Sequence, residues 1–555
     1  MSQLAIPDTE GRDQPAGQAP AHLQPPDEGS AAPARSHRVL IAAGMAALAA
    51  LALAVRLPGM GISLWLDEGL SVGIASHRLA DIPGLLAQDG SPPLYYLLLH
   101  GWMELFGRSE EAVRALSLVA GLACIPVAFW AGRTLFGRRA GWIAAVLAAS
   151  SPYLSLYSRE ARMYTLMVLV SLVCVTAFVA AFAFGDRRML PLFSVFLALA
   201  LYTHNWGLYL VVGLGAATVV CVVAAGDRRR VVLDAGAAFG AAGLLYLPWM
   251  PTLVFQAART GAPWSQTPDA GDLWEALESV LGDRRVVVML ALVGVPALVR
   301  FGRRWRSGTG LAVAMLAVTP LVAAVAAWLS SQVEPAWASR YFAVFLVPVL
   351  LLVTLGLARE GRRGLLALLL IVMVWTDPVS RLPGFGPSPR VVQKSNVRAA
   401  TELVADMAGP GDLVVSTHME HVPLLRYYLG PQPHYADPSG LVADPTMADW
   451  RDGLARMRSA TPERGLVPLT DDLATGANLL LVCPRLDLDE DDPEWFVLMQ
   501  RNCNAWRSSV DADPSLELVR GPVSPKPRRS PGSSVYIVVY EKVAESETEA
   551  ETVRR

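Results

Sequence analysis

Ser63-Leu-Trp-Leu-Asp-Glu-Gly-Leu-Ser71 follows the first long apolar run of the chain, Val39 to Val55. Several later stretches also approach the ~20 apolar residues that an α-helix needs to cross a bilayer. The 555 residues are 53% hydrophobic and 17% charged, whereas a soluble protein of this length would carry about a quarter charged residues. The sequence therefore predicts a polytopic α-helical membrane protein, whose first loop begins with the quoted stretch.

Three carboxylates lie in this first loop. Asp67 and Glu68 are adjacent, and Asp89 follows in the turn Asp89-Gly-Ser-Pro-Pro93. Acids at a membrane–water boundary cost little free energy while they stay hydrated, so a solvated loop would explain them. The alternative is a carboxylate that takes a proton from an acceptor hydroxyl as a general base.

The arginines between the apolar stretches predict which loops share a side of the membrane. Leu94 to Phe106 is apolar but short for a span, and we expect it to lie in the interface. If it does not cross, the basic clusters at every second junction fall on the side of Arg35 and Arg38, in agreement with the positive-inside rule. These clusters are Arg133/Arg138/Arg139, Arg187/Arg188, Arg228/Arg229/Arg230, Arg300/Arg303/Arg304/Arg306 and Arg359/Arg362/Arg363.

About eleven spans result from this topology. They are 39–57, 112–132, 140–156, 163–184, 189–203, 206–225, 231–250, 286–300, 309–330, 340–358 and 364–377. The predicted fold is a multi-pass cell-membrane protein with a cytoplasmic N-terminus and a C-terminal extracytoplasmic α/β domain. Its parts are a disordered tail (1–34), a transmembrane core (35–377, with a first outer loop at 58–110), a linker (378–389), the α/β domain (390–540) and a disordered acidic tail (541–555).

The predicted C-terminal domain alternates short apolar strands with helical stretches. Predicted strands are Leu413 to Thr417, Asn478 to Cys483 and Ser534 to Tyr540, and predicted helices are Val397 to Met407 and Val422 to Leu429. Ser416-Thr-His-Met-Glu-His421 resembles a metal cluster, but polar residues at the end of a strand are the favoured explanation.

Two of the five cysteines, Cys483 and Cys503, fall in this domain. An extracytoplasmic compartment permits a disulfide between them, and two free thiols are the alternative. Their spacing and surroundings argue against a zinc site.

Basic residues that break the positive-inside pattern gather at the outer junctions. An interfacial Arg usually reaches toward lipid phosphate, and a neighbouring Tyr or Trp usually belongs to the aromatic belt. Together with the three first-loop acids, however, they supply a general base and phosphate-binding groups on one leaflet. The residues concerned are Arg114, Arg159, Arg162 and Tyr164, His204, and Arg340 with Tyr341.

The chain also resembles a known family in five short motifs that occur in order. They are Leu66-Asp67-Glu68, Asp89-Gly-Ser-Pro-Pro-Leu-Tyr-Tyr96, Phe106-Gly-Arg-Ser-Glu-Glu-Ala-Val-Arg114, Arg133-Thr-Leu-Phe-Gly137 and Ser158-Arg-Glu-Ala-Arg-Met-Tyr164. Over roughly residues 39 to 377 the pattern is similar to the GT-C glycosyltransferases, in particular to the branch of family 39 that contains protein O-mannosyltransferases and bacterial aminoarabinose transferases.

The resemblance implies roles for several residues. Asp67 matches the first-loop acid taken as general base, Asp89 a second active-site acid, and Arg159 and Arg162 the loop that faces the donor phosphate. Members of the family use a polyprenyl or dolichyl phosphate sugar, transfer it outside the cytoplasm and invert the anomeric centre. The family does not agree on metal dependence, so no cofactor is certain, and a divalent cation held by Asp67, Glu68 or Asp89 stays open.

The hypothesis is an inverting transfer of a sugar, for which mannose and arabinose are the candidates. In it, Asp67 deprotonates the acceptor, and Arg159, Arg162 and Arg340 stabilise the leaving phosphate. Glu68 or Asp89 would orient the acceptor, while Tyr164 and His204 belong to the donor phosphate site. A cell-envelope glycan, a lipid and a protein are all open as acceptors, and no nucleic-acid partner is expected. A transporter of lipid-linked sugars and a non-catalytic sensor or scaffold are the alternative classes.

Overall fold

The structure is a computed structural model that describes residues 31–302, 305–306, 308–377, 393–525 and 534–544. The chain divides into two compact units, Met1–Ala47 and Leu48–Arg555. The described residues of the first unit all belong to the N-terminal part of one helix. The second unit contains every other element. The predicted linker (378–389) and most of both predicted tails lie outside the described residues.

Helices make up most of the described residues between 31 and 377. They are α1 (Ala31–Arg56), α2 (Leu66–Ala75), α3 (Ile82–Asp89), α4 (Leu94–Phe106), α5 (Glu110–Phe136), α6 (Arg138–Ser150), α7 (Pro152–Tyr157), α8 (Tyr164–Ala183), α9 (Leu190–Thr203), α10 (Gly207–Ala224), α11 (Arg228–Tyr246), α12 (Met250–Arg259), α13 (Ala270–Leu281), α14 (Arg284–Gly302), α15 (Gly308–Ser331), α16 (Ala343–Arg359) and α17 (Gly361–Thr376). The helix α1 starts inside the segment predicted as a tail.

Seven helices of the described chain are long and apolar enough to cross a membrane. They are Arg38–Arg56, Glu110–Phe136, Tyr164–Ala183, Gly207–Ala224, Arg228–Arg259, Gly308–Ser331 and Ser339–Arg359. The prediction of a polytopic helical membrane protein is thus confirmed. The other four predicted spans fall on α6, α9, α14 and α17, of which α6, α9 and α17 have only 13, 14 and 16 residues. The count of eleven spans therefore stays a prediction.

The first loop folds into α2, α3 and α4, and its turn residues set the boundaries. Helix α3 ends at Gly90, whose left-handed φ of 95° suits a glycine because other residues are strained there. Pro93 then directly precedes α4, which begins at Leu94 and ends at Phe106, as the apolar run predicts. With 13 residues, α4 is shorter than a membrane crossing. These turns bring Asp67 of α2 and Asp89 of α3 to the same end of the helical core.

The C-terminal part is the predicted α/β domain. Its six-stranded sheet has the order β3-β2-β1-β4-β6-β5, with β1 parallel to β2 and β4, and β6 antiparallel to β4 and β5. The strands are β1 (Leu413–Ser416), β2 (His434–Asp437), β3 (Gly440–Leu441), β4 (Asn478–Pro484), β5 (Leu516–Val523) and β6 (Val535–Lys542). The helices are α18 (Val397–Glu402), α19 (His421–Leu429), α20 (Gly453–Ser459), α21 (Pro462–Gly465), α22 (Val467–Asp471) and α23 (Glu494–Asp511).

Two predicted boundaries in this domain were wrong. Strand β6 continues through Glu541, placed in the tail by its charge, because Glu541 pairs with both Asn478 and Glu517 in the ladder. The helix predicted from Val397 to Met407 ends at Glu402, and a short 3₁₀ turn covers Ala405–Met407.

Cys483 at the end of β4 and Cys503 in α23 form a disulfide.

The domain packs directly on the first loop through α19 and α2. Two glycines one turn apart on α2 make the approach close. A Cβ at Gly73 would lie 1.8 Å from the carbonyl oxygen of Thr446, and one at Gly69 would lie 2.9 Å from the Cβ of Leu424. The helix that carries Asp67 is therefore pressed between the helical core and the C-terminal domain.

Polar contacts hold the same interface. Nε2 of His77 lies 2.9 Å from Oδ2 of Asp444, and the hydroxyl of Tyr428 donates to Glu110 at 2.6 Å. The backbone N–H of Leu64 donates to the same Tyr428 oxygen at 2.7 Å. Hydrogen bonds and close packing together fix the position of the C-terminal domain against the first loop.

Candidate active site

A cavity of about 540 Å³ lies where the first loop, the ends of several core helices and the C-terminal domain meet. Acidic and basic side chains from several separate stretches of sequence reach it. They are Asp67, Asp89, Arg162, His204, Glu334, Arg340, His418 and Glu420. The structure thus brings together five of the sequence-predicted site residues and adds Glu334, His418 and Glu420.

Asp67 occupies a position between two guanidinium groups. Its Oδ2 lies 3.7 Å from Nε of Arg162 and 3.9 Å from Nε of Arg340, and its side chain is 13% exposed. Both distances exceed those of direct hydrogen bonds. Both Nε atoms are buried and have no hydrogen-bond partner within the described part of the chain. Buried N–H groups of this kind call for an acceptor, and here two of them border one cavity.

Residues of the first loop hold the side chain of Arg162 in place. Its Nη1 donates to Oγ of Ser71 at 3.0 Å and to the hydroxyl of Tyr96 at 3.2 Å. Its guanidinium also lies 5.9 Å from the ring centre of Tyr164. Ser71 lies one turn after Asp67 on α2, so one helix positions the carboxylate and one of its arginines.

Arg340 is held by aromatic rings. Its guanidinium carbon lies 4.3 Å from the ring centre of Trp264, 5.3 Å from Tyr341 and 5.9 Å from Trp65. Arginine stacks well on aromatic faces because its planar cation is weakly hydrated. The rings restrict this long side chain and leave its edge toward Asp67.

His204 is uncharged at neutral pH. Burial, reinforced by the positive charges of Arg162 and Arg340, lowers the pKa of His204 to about 3. Its Nδ1 accepts the backbone N–H of Trp206 at 3.0 Å, from which we infer that the proton is on Nε2. The ring lies 4.7 Å from Tyr341 and 6.0 Å from Tyr164, centre to centre. Tyr164 packs behind the cavity rather than lining it.

Asp89 is the second acid at the cavity. Burial raises its pKa; hydrogen bonding to Ser91 and the charge of Arg162 oppose that shift, while the charge of Asp67 adds to it. Its buried Oδ2 has no hydrogen-bond partner among the described residues. Asp89 is therefore a buried carboxyl group with a raised pKa close to Asp67.

Besides Tyr164, two further predicted site residues do not line the cavity, Glu68 and Arg159. Glu68 is fully buried in a bidentate ion pair with Arg114, at 2.7 Å to Nε and 2.6 Å to Nη2, and it also accepts the N–H of Ala161 at 2.8 Å. It differs from Asp67 because adjacent residues on a helix point to different faces. Arg159 does not line the cavity; its guanidinium donates to the carbonyl oxygens of Ser155 and Pro58 at 3.1 and 3.2 Å. Glu68 and Arg159 therefore bind other parts of the protein and do not reach the cavity.

The described residues contain no group of three or more His, Cys, Asp or Glu side chains that could hold a metal ion. Asp67, Glu68 and Asp89 in particular do not converge, because Glu68 is turned toward Arg114. The cation alternative gains no support from the arrangement of these three acids.

Sequence reasoning missed the contribution of the C-terminal domain. His418 and Glu420, in the segment first attributed to strand-end polar residues, line the cavity. They follow the carboxyl end of β1, which has parallel neighbours on both sides. Ligand sites in open α/β sheets usually lie at the carboxyl ends of parallel strands, and this signal could have identified them.

Comparison with known proteins agrees with this architecture. Residues 90–255 match the sequence model of the dolichyl-phosphate-mannose-protein mannosyltransferases. That segment runs from the turn after Asp89 to α12, so it includes Arg162 and His204. No curated protein sequence matches the chain.

Solved structures of membrane glycosyltransferases superpose over most of the chain. It has the GT-C fold, and ArnT from Cupriavidus metallidurans is similar over 91% of this chain and 98% of its own, with a TM-score of 0.58 at 15% identity. That protein was also solved with undecaprenyl phosphate bound. AglB from Archaeoglobus fulgidus, solved with a dolichol-phosphate and an inhibitory peptide, aligns over 83% of this chain and 71% of its own (TM-score 0.52, 11% identity).

A third structure is mycobacterial AftD, an arabinofuranosyltransferase. It aligns over 92% of this chain but only 42% of its own length, with a TM-score of 0.51 and 16% identity. At such identities the likenesses establish the GT-C fold, and the chemistry has to be argued from the site.

Proposed function

We propose that this protein is a membrane glycosyltransferase that moves a sugar from a polyprenyl phosphate to an acceptor hydroxyl with inversion. The observation that carries the proposal is the position of Asp67 between Arg162 and Arg340 at one cavity. The Nε–H groups of both arginines are buried there and have no hydrogen-bond partner within the described chain. A base and two phosphate-binding cations within one pocket are the parts that such a transfer requires.

The proposed reaction gives each of these groups a role. The acceptor hydroxyl gives its proton to the Asp67 carboxylate as its oxygen attacks the anomeric carbon. The bond from that carbon to the phosphate oxygen breaks, and its electron pair stays on the leaving phosphate. Arg162 and Arg340 stabilise the additional negative charge through charge-assisted hydrogen bonds. Their present distance from Asp67 leaves their donors available for this role.

Two further residues act on the same substrates. Neutral His204 offers an Nε2–H donor to the donor phosphate without adding a charge that would compete with the arginines. The buried Oδ2 of Asp89, which has no hydrogen-bond partner among the described residues, can accept from a sugar hydroxyl. Tyr164 supports the ring of His204 and the cation of Arg162 through contact.

The donor lipid and sugar rest on similarity. Undecaprenyl phosphate and dolichol-phosphate are bound by ArnT and AglB, which favours a polyprenyl-phosphate carrier here. Mannose is suggested by the matching mannosyltransferase family, and arabinose by the likeness to the arabinofuranosyltransferase AftD. A glycan, a lipid and a protein of the cell envelope stay open as acceptors. The arginine distribution favours a cytoplasmic N-terminus and a site on the opposite side.

The experiment is a donor panel. Purified protein is incubated with polyprenyl-phosphate mannose, arabinose and other sugars, and the release of polyprenyl phosphate is followed. The proposal expects release with at least one donor and covalent transfer of its sugar. Movement of labelled donor across vesicles without release would favour the transporter alternative, and release with none of the donors would contradict the proposal.

A further inference from the structure

The loop that follows β1 carries a carboxyl group from the C-terminal domain into the cavity. Glu420 lies at the start of α19, and its side chain is 13% exposed. Helix α19 is the element that packs on α2. At this contact a Cβ on Gly69 would lie 2.9 Å from the Cβ of Leu424 in α19, so the two helices are closely packed. The packing of α19 on α2 therefore sets the position of Glu420 relative to Asp67.

The surroundings of Glu420 favour its neutral form. Burial, reinforced by the negative charges of Asp67 and Asp89 and opposed by the two arginines, raises the pKa of Glu420 to about 8. The titratable and charged groups that face it from the neighbouring elements are Asp67, Asp89, Arg162, Arg340 and His418.

His418 does not compensate with a positive charge. Its Nε2 lies 3.5 Å from Oε2 of Glu420 and accepts the indole N–H of Trp495 at 3.3 Å. Burial holds the pKa of His418 well below its usual value. A neutral imidazole beside Glu420 is compatible with a carboxylic acid, whereas it cannot stabilise a carboxylate as a cation would.

The polar side chains of the cavity are of two kinds. Arg162, Arg340 and His204 supply donors for a phosphate, while Asp67, Asp89 and Glu420 supply carboxyl groups. A negatively charged group is attracted to the two arginines and repelled by an ionised carboxyl group. The carboxyl groups suit hydroxyl groups, which can donate to Asp67 and both donate to and accept from a carboxylic acid.

We propose that Glu420 is an acceptor-binding residue, so that the C-terminal domain forms half of the acceptor site for a neutral, hydroxyl-bearing acceptor. This inference rests on the proposed glycosyl transfer. It gives the domain a direct place in the reaction: Glu420 holds the acceptor by hydrogen bonds while Asp67 removes the proton of the attacking hydroxyl. Binding of the donor phosphate by Arg162, Arg340 and His204 does not require Glu420.

The test compares Glu420→Ala and Glu420→Gln with Glu517→Gln, a control at an exposed carboxylate on β5 of the same domain. Octyl α-mannoside serves as a neutral acceptor probe with the donor that the wild-type protein uses. We expect Glu420→Ala to raise the acceptor KM about tenfold, the effect of one lost hydrogen bond to a buried partner. The Kd of Glu420→Ala for undecaprenyl phosphate should stay unchanged. The control variant Glu517→Gln should keep the wild-type acceptor KM.

The pH profile separates an acceptor-binding role from a merely structural one. Glu420 is neutral below its pKa and loses its donor proton above it, so the wild-type acceptor KM should rise as pH passes about 8. Glu420→Gln keeps a neutral donor, cannot ionise, and should show no such rise.

Several results would overturn the inference. An unchanged acceptor KM in a folded Glu420→Ala variant would contradict it, as would the same pH-dependent rise in Glu420→Gln. Release that octyl α-mannoside does not stimulate would contradict the neutral acceptor class. In all three cases wild-type release would persist, which distinguishes them from a failure of the proposed transfer itself.

Discussion

Helix α2 carries two adjacent carboxylates in opposite environments. Glu68 and Arg114 form a closed cluster: both side chains are at most 1% exposed, and their contacts are 2.6 to 2.7 Å long. Asp67 forms an open cluster with Arg162 and Arg340, at 3.7 and 3.9 Å beside a cavity. The difference teaches that charge and location alone do not identify an active-site acid. Unused hydrogen-bonding capacity next to a cavity is the more informative property.

The open cluster should govern turnover. Asp67→Asn keeps the shape of the side chain but removes the base, so we expect turnover to fall by about 10²- to 10⁴-fold with little change in Tm. The matched control is Asp81→Asn, an exposed acid at the start of α3 in the same loop, whose side chain makes no capping hydrogen bond. Release of polyprenyl phosphate measures both variants. Near wild-type turnover of Asp67→Asn would remove Asp67 from its role as base.

The closed cluster should govern stability. Glu68→Gln leaves Arg114 buried without its counter-ion, and breaking a buried pair in this way typically costs about 3–5 kcal/mol. We expect a lower Tm in detergent, with the turnover of the molecules that stay folded reduced much less than in Asp67→Asn. Asp81→Asn again serves as control.

The comparison between the two clusters can fail in a clear way. A Glu68→Gln variant with the wild-type Tm and lost turnover would reverse the roles assigned to these neighbours.

Much of the fold could be predicted from local sequence. Apolar runs define α5, α8 and α10, and turn residues around Gly90 and Pro93 define α4 to the residue. Short apolar bursts define β1 and β4, because these strands are buried on both faces. Strand β5 was missed because most of its residues are exposed and it lacks an apolar alternation.

The candidate site was predicted only in part. Arginines on the wrong side for the positive-inside rule pointed to Arg162 and Arg340, since their charge needs a specific reason. Glu68 could not be distinguished from Asp67, because its partner Arg114 comes from a distant helix. Glu420 could not be found by proximity in sequence, because only the tertiary packing of α19 on α2 brings it to Asp67.

The most direct measurement of the central claim is an experimental structure of the protein with undecaprenyl phosphate bound. The account predicts the phosphate within hydrogen-bond distance of the Nε atoms of both Arg162 and Arg340, with the Asp67 carboxylate facing the position that the sugar would occupy. A phosphate bound away from these two arginines, or an Asp67 side chain outside the lipid-phosphate pocket, would contradict it.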